Sequence, residues 1–215
     1  MLDPMPRLTL VPGVGLFGHG RSLKDARIAA DLGEMWIEAA RDAESVGRFE
    51  PVSRPDLFDL EYWSLEQAKL AGAKPKPLTG QVAVVTGAGG AIGAATAKAF
   101  AQQGAHVALL DLDVAKAETA AAAAGNGAIA LPCDVTDADS VRAAFDRVVA
   151  AFGGVDILIN TAALFPSTPE PVIPDRMWAA TPDLNVTANY ALATDTAKIF
   201  NEQGGLHGTV VFTSS

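Results

Sequence analysis

Beyond residue 80, short apolar runs alternate with longer segments whose apolar residues recur every three or four positions. A short continuous apolar run is typical of a buried parallel strand, and the longer spacing predicts a helix with one buried face. The alternation predicts an α/β fold, a doubly wound parallel sheet truncated after its fifth strand. The predicted strands are 82–86, 106–110, 128–131, 155–159 and 209–213. The predicted helices are 91–103, 114–124, 137–152, with Thr136 as its N-cap, and 184–203, and a Pro-rich loop, 164–176, is predicted after the fourth strand.

The first 70 residues have a different pattern. LTLVPG predicts a short strand, GVGLFGHG a glycine-rich turn, and residues 22–46 an amphipathic helix that Ser22 and Asp25 cap and Gly47 ends. A strand, a turn and a helix are too little for an independent domain, so residues 1–70 are predicted to be the remnant of a larger one. The Pro- and Lys-containing segment 71–80 is predicted to be a linker before the α/β unit, 81–215.

The first strand of the α/β unit runs into TGAGGAIG, and a helix follows. Glycines there allow a sharp turn that brings backbone N–H groups and the positive helix end against an anion, as in Rossmann-type sheets. We therefore predict that Gly87, Gly89, Ile92 and Gly93 contact a dinucleotide. Because Ile92 stands at the sixth position from Gly87, the spacing departs from G-x-G-x-x-G. The alternative is a tight turn without a ligand.

Asp111 ends the second strand of this unit, 24 residues after Gly87. A carboxylate at about that separation accepts hydrogen bonds from the ribose hydroxyls of a dinucleotide. It would also repel a 2′-phosphate, so the sequence favours NAD over NADP. The alternative is a solvated acid at a strand end.

Charge and composition exclude several other functions. The net charge is −9, and residues 80–215 carry 6 basic and 13 acidic side chains, so a nucleic-acid partner is not expected. No apolar run reaches 18 residues, which argues against a membrane partner. The single cysteine and a first segment unlike a signal peptide predict a cytoplasmic protein without a disulfide or a metal site.

Several motifs resemble, in order, those of the short-chain dehydrogenase/reductase family. Thr86, Gly87 and Gly93 match the family's T-G-x-x-x-G-x-G loop, with Ala91 in place of the middle glycine. The resemblance implies an NAD-binding Rossmann-type fold.

The resemblance also assigns residues after the third and fourth strands of the unit. It implies that Asp134 and Val135, in CDV, border the adenine of the cofactor. Asn160 matches the first position of the family's Asn-Asn-Ala-Gly, beside the nicotinamide ribose, and Thr161 departs from the second.

Two further matches imply catalytic roles. Asn185, in LNVTANY, stands where the family has the Asn that supports a proton relay, and Ser215, which ends VVFTSS, matches the catalytic Ser. The family's general acid/base is a Tyr whose pKa is lowered by a Lys four residues later. Neither Tyr62 nor Tyr190 has such a Lys. We therefore expect the 215-residue chain to be catalytically incomplete.

PGVGLFGHGRSLKDARIAAD and DLFDLEYWSLEQAKL, in the first 70 residues, resemble the end of a class II aldolase domain fused to a short-chain dehydrogenase. This is the arrangement of the bifunctional rhamnulose-1-phosphate aldolase/alcohol dehydrogenase group. Val14 occupies the place of a metal-binding His in ordinary class II aldolases, so no metal ligand is assigned. The resemblance implies a homo-oligomeric enzyme acting on the alcohol or carbonyl group of a small hydroxy-carbonyl or sugar-derived substrate. The alternative is a nucleotide-binding or oligomerisation module without catalytic activity.

Overall fold

The protein divides into two compact units, residues 1–75 and 76–215. Among the described residues, no helix combines the length and the apolarity that crossing a lipid bilayer requires. The computed structural model describes residues 5–70, 74–166, 173–204 and 208–213.

The first unit begins with an antiparallel hairpin. The glycine-rich segment predicted as a turn contains the second strand, so that prediction was wrong in part. The turn itself is confined to residues 12–14, where Val14 donates its N–H to the Val11 carbonyl over 3.0 Å, and Phe17 pairs with Thr9. The elements are β1 (Leu8–Val11), β2 (Gly15–Gly18), α1 (Leu23–Val46), α2 (Arg54–Glu61) and α3 (Ser64–Leu70).

The caps predicted for α1 are confirmed. Ser22 adopts an extended conformation, and its Oγ accepts the N–H of Asp25 over 3.1 Å. Gly47 ends the helix, and its N–H donates to the Ala43 carbonyl over 2.9 Å. Helix α2 was not predicted, because its aromatic and acidic residues are exposed and show no clear apolar stripe. Helix α3 was not predicted either.

The second unit is built on a five-stranded sheet in the order β5-β4-β3-β6-β7, and every neighbouring pair is parallel. The predicted α/β fold with a Rossmann-type sheet is therefore confirmed. The strands are β3 (Val82–Thr86), β4 (His106–Asp111), β5 (Ile129–Pro132), β6 (Ile157–Asn160) and β7 (Thr209–Phe212), and the helices before residue 160 are α4 (Ala91–Gln102), α5 (Val114–Ala124) and α6 (Ala138–Phe152).

Helices cover both faces of the sheet, and side chains alternate between them along each strand. On β3, Val82 and Val84 belong to a core cluster with residues of α6, whereas Ala83 and Val85 belong to a second cluster with residues of α4 and α5. All five β3 residues are buried. These two apolar layers hold the carboxyl ends of the strands at one edge, where the candidate site lies.

Two helix starts differ from the prediction. Asp137, not Thr136, caps α6, because the Asp137 carboxylate accepts the N–H of Asp139 over 3.0 Å while Thr136 is bonded to Asp134. The helix predicted from residue 184 begins earlier, at Asp175 in place of a loop. It runs as α7 (Asp175–Pro182), a π-helical turn (Asp183–Thr187) and α8 (Ala188–Glu202).

A proline, Pro182, stands inside this helical run. Pro182 has no N–H to donate, and such a residue usually ends a helix. Here a π-helical turn follows directly, in which the Ala188 N–H bonds to the Asp183 carbonyl five residues before it. The π-helical turn continues the helix past Pro182 and contains Asn185.

Candidate cofactor-binding and active site

The glycine loop between β3 and α4 is shaped by close backbone approaches. Gly87 has φ of +64°, and a Cβ there would lie 2.7 Å from the backbone nitrogen of Ala162. A Cβ on Gly93 would lie 2.5 Å from the carbonyl oxygen of Gly87. A side chain at either position would therefore force the loop apart.

The first turn of α4 has donors to offer a ligand. Gly90 is its N-cap, and no side chain caps the helix within the part of the chain that the structure describes. The free N–H groups and the positive end of the helix dipole at this turn suit a phosphate. Ile92 lies in the same turn, with its side chain 66% exposed. The loop thus fits the pyrophosphate of a dinucleotide.

Asp111 lies at the carboxyl end of β4 and holds the glycine loop in place through hydrogen bonds. Its Oδ2 accepts the N–H of Gly89 over 2.8 Å, and its Oδ1 accepts the N–H of Asp113 over 2.8 Å. Because each carboxylate oxygen has two lone pairs, both can still accept a further hydrogen bond from a hydroxyl. The sequence did not predict that this carboxylate holds the loop as well as facing the cleft.

Asp113 and Lys116 form an exposed ion pair beside Asp111, with Nζ and Oδ2 3.0 Å apart. The hydrogen bond from the Lys116 side chain lowers the pKa of Asp113, and the same bond raises the pKa of Lys116. The ammonium is thus held by Asp113 on the rim of the site, next to the carboxylate of Asp111.

A cleft of about 890 Å³ opens at this edge of the sheet. Gly87, Asp111, Asp134 and Val135 line it, so the structure brings four of the predicted cofactor-binding residues together. Its other walls come from the start of the loop after β6 and from α7, the π-helical turn and α8. The volume is within the range of ligand pockets in proteins.

Asp134, after β5, closes a turn with its hydrogen bonds. Its Oδ1 accepts the backbone N–H of Thr136 over 2.9 Å and the Thr136 hydroxyl over 2.6 Å. The backbone N–H of Asp134 donates to Ser140 Oγ over 2.9 Å. The neighbouring Cys133 is buried, which raises the pKa of its thiol to about 11. That thiol stays protonated near neutral pH and is a poor nucleophile.

Behind the cleft, side-chain amides form an asparagine network of Thr86, Asn160, Asn189 and Asn185. Thr86 donates its hydroxyl to Asn160 Oδ1, Asn160 donates Nδ2 to Asn189 Oδ1, and Asn189 donates Nδ2 to the Asn185 carbonyl over 2.6 Å. Asn185 in turn binds the backbone of Leu164 through both atoms of its amide, over 2.8 and 2.9 Å. The network links the end of β6 to the π-helical turn.

Asn160 and Asn185 therefore make structural contacts and do not line the cleft as the structure describes it. Asn160 is 2% exposed. Sequence reasoning missed Asn189, although it lies four residues after Asn185, on the same helix face. That spacing was the available signal.

Thr161, which departs from the family pattern, lines the cleft. Its hydroxyl donates to the Thr86 carbonyl over 2.7 Å. It thereby joins the ends of β3 and β6 next to the glycine loop. Ser215, the predicted catalytic serine, lies outside the described residues, and Tyr190 is 76% exposed on α8.

The family model for short chain dehydrogenases matches residues 81–215. The chain belongs to the short-chain dehydrogenase family. A second model, for the second domain of class II aldolases, matches residues 1–70. Both resemblances drawn from the sequence motifs are thus confirmed.

Several curated proteins are similar to the chain. An uncharacterized oxidoreductase of Bacillus subtilis, YuxG, is 32% identical across all of this chain and 32% of its own length. The D-threitol dehydrogenase of Mycolicibacterium smegmatis is 40% identical over 60% of this chain and 50% of its own length. The galactitol 2-dehydrogenase of Agrobacterium fabrum is 42% identical over 51% of this chain and 43% of its own length. The chain thus spans from 32% to 50% of the length of these relatives.

Solved structures show the same fold. A short-chain dehydrogenase/reductase from Mycobacterium marinum has a TM-score of 0.60 and 33% identity, covering 64% of this chain and 57% of its own. A 3-ketoacyl-(acyl-carrier-protein) reductase from Brucella melitensis, complexed with NADH, has a TM-score of 0.57 and 34% identity. The match covers 63% of this chain and 57% of the reductase chain.

Proposed function

We propose that this chain supplies the cofactor-binding part of an NAD-dependent oxidoreductase that acts on the alcohol or carbonyl group of a small sugar-derived substrate. The observation that carries the proposal is the cleft at the carboxyl ends of the strands. There the glycine loop, the first turn of α4 and Asp111 converge. The threitol and galactitol dehydrogenases among the relatives support a polyol or its carbonyl counterpart as the substrate.

The residues of the chain have distinct parts in this proposal. The amides of the loop and of the first turn of α4, from Gly87 to Gly93, bind the pyrophosphate. Asp111 accepts hydrogen bonds from the adenosine ribose and opposes a 2′-phosphate. Asp134 and Val135 border the adenine. The nicotinamide, when bound, supplies the acceptor or donor of a hydride.

Substrate handling falls to residues beyond the loop. Asn160 holds the end of β6 beside the nicotinamide ribose, through its bonds to Thr86 and Asn189. Asn185 supports the proton relay, and Ser215 holds the substrate oxygen. A chain of these 215 residues has no Tyr with a Lys four residues later, so we expect it to bind cofactor without turnover.

The proposal extends to the organisation of the whole enzyme. Residues 1–70 belong to an aldolase-like domain, residues 71–80 form the linker and residues 81–215 belong to the dehydrogenase, within a bifunctional, homo-oligomeric, cytoplasmic protein. The aldolase family match over residues 1–70 supports the bifunctional arrangement.

Titration with NADH and NADPH tests the cofactor assignment. We expect NADH to bind more tightly, and Asp111→Ala to weaken NADH binding about tenfold, or about 1.4 kcal/mol, while NADPH binding is unchanged or improved. Because Asp111 also holds Gly89, thermal unfolding of the variant must be compared, and Asp111→Asn keeps an acceptor without the charge. Asp146→Ala, an exposed acid on α6, is the matched control. Tighter binding of NADPH by the unaltered chain would contradict the assignment.

The second candidate is a nucleotide-binding module without catalysis, which the missing Tyr–Lys pair favours. Cofactor binding without turnover is common to both candidates for this chain. Steady NADH formation from threitol or galactitol by the 215 residues would refute the expected inactivity. Measuring the same reaction in a protein that extends past Ser215 separates the two, since only the oxidoreductase gains activity.

A further inference from the structure

The turn between α5 and β5 has an unusual backbone. It reads Gly125-Asn126-Gly127, and all three residues have positive φ, of 69°, 54° and 69°. Among the described residues, Asn126 is the one non-glycine residue with positive φ. Asparagine tolerates this left-handed conformation better than most residues. Asn126 and Gly127 are both exposed, so water reaches the peptide bond between them.

The backbone nitrogen of Gly127 is free to react. Gly125 donates its N–H to the Ala121 carbonyl and Ala128 donates to Gly125, each over 3.0 Å, but no described atom accepts the N–H of Gly127. A Cβ built on Gly127 would meet nothing within 4 Å. Within the described residues this nitrogen therefore has no hydrogen-bond acceptor, and the space around a Cβ at Gly127 is open.

The side chain of Asn126 makes one described hydrogen bond. Its Nδ2 donates to the Ala105 carbonyl over 2.8 Å, just before β4 begins. This bond restrains the amide, yet the carbonyl carbon of the side chain remains in an exposed glycine turn next to a free backbone nitrogen. Asparagine is among the thermolabile residues for this reason.

We propose that Asn126 is a site of spontaneous deamidation. The backbone nitrogen of Gly127 attacks the side-chain carbonyl carbon of Asn126. A C–N bond forms, the bond to the side-chain nitrogen breaks, and ammonia leaves with the proton from the Gly127 amide. Water then opens the five-membered succinimide at one of its two carbonyls and leaves an aspartate or an isoaspartate at position 126. No oxidant or cofactor takes part.

The other asparagines of the chain differ in the residue that follows them and in their backbone conformation, so they serve as internal controls. Asn160, Asn185, Asn189 and Asn201 are followed by Thr, Val, Tyr and Glu, whose side chains crowd the attacking nitrogen. All four lie in a strand, a π-helical turn or an α-helix, where the backbone cannot move freely into the reactive geometry.

Deamidation changes the contact with β4. A carboxylate cannot donate to the Ala105 carbonyl, so the product loses this bond and places two oxygens against each other. Ala105 and Asn126 lie at the amino end of the strands, opposite the glycine loop. The product is therefore less stable but binds the cofactor as before.

Peptide mapping by mass spectrometry tests the proposal. The folded chain is incubated in mildly alkaline buffer at physiological temperature beside a free peptide of residues 121–130. We expect the amide form at position 126 to be lost first, more slowly than in the free peptide, while the other four asparagines stay intact. Retention of the amide after the free peptide has fully converted, or earlier loss at any other asparagine, overturns the proposal.

Two variants complete the test. Asn126→Gly accepts the positive φ and removes the reactive amide, so the mass gain must vanish from this segment, and its persistence overturns the assignment. Asn126→Asp reproduces one product, and we expect its melting temperature to fall by roughly 2–4 °C. Its affinity for NADH should be unchanged, and a change there would contradict the placement of the turn away from the cleft.

Discussion

Both units of this protein form helices and strands, but the two units bury very different amounts of apolar surface. Helix α1 in the first unit has 24 residues, and Gly33 is the one that is buried. Its Leu32 and Trp36 are 59% and 48% exposed. In the second unit all five residues of β3 are buried, and two core clusters fill both faces of the sheet.

The comparison shows that local sequence signals form helices and strands whether or not these elements are buried. Caps and hairpin turns form the elements of both units, because these contacts join residues close in sequence. A core forms where a sheet of several strands gives helices a surface to cover, and the two strands β1 and β2 are too few for that. Substitutions in each unit test this difference.

The largest effect is expected from truncating the core of the second unit. Leu158 is fully buried on β6, so Leu158→Ala leaves a cavity and should lower the free energy of unfolding by about 3 kcal/mol. Leu32→Ala on α1 is the matched control, and it should change that free energy by less than about 0.5 kcal/mol. Urea denaturation measures both. Equal losses for the two variants would show that α1 buries its apolar face after all.

A smaller effect is expected at the cap of α1. Ser22→Ala removes the acceptor for the Asp25 N–H and should cost about 1 kcal/mol, seen as lower helicity and faster hydrogen exchange at Asp25. Ser45→Ala is the control, because the Ser45 hydroxyl bonds back to the Asp42 carbonyl within the helix and does not cap it. If the two variants behave alike, the start of α1 does not depend on its cap.

The smallest effect concerns pH. His106 begins β4 and stacks on Phe152 with ring centroids 5.5 Å apart, and burial lowers its pKa below 6.5. The folded state therefore binds fewer protons than the unfolded state just below pH 6.5, so stability is present above that pH and is lost as pH falls. Melting temperatures across this range should decline less for His106→Gln. An equal decline in both proteins would assign the effect to other groups.

Most of the second unit was predictable because its strands are continuous apolar runs and its helices end at glycines. The predicted bounds of β3 and α5 agree with the structure, and those of the other strands differ by one or two residues. The failures have local physical reasons. The helix predicted from residue 184 begins earlier because α7 precedes it, and a π-helical turn continues the helix past Pro182, which has no N–H to donate. Asp137 caps α6 in place of Thr136, because Asp134 accepts the hydroxyl hydrogen bond of Thr136.

Part of the cleft lining could be predicted from the sequence, but the contacts of the candidate site could not. The glycine loop, Asp111 and Asp134-Val135 follow from strand ends, which meet at one edge of a parallel sheet. The asparagine network depends on where the helix after Pro182 crosses β6, and no sequence spacing specifies that crossing.

The sequence by itself determined the order of the strands in the second unit, the α/β class and the edge of the sheet at which ligand-binding residues collect. These depend on apolar periodicity and on glycine, which act within a few residues of each other. Tertiary structure alone decided that Asp111 fastens Gly89, that Asn160 faces Asn189 and that α1 stays exposed. Such contacts join residues far apart in the chain, and they form only when packing brings those residues together.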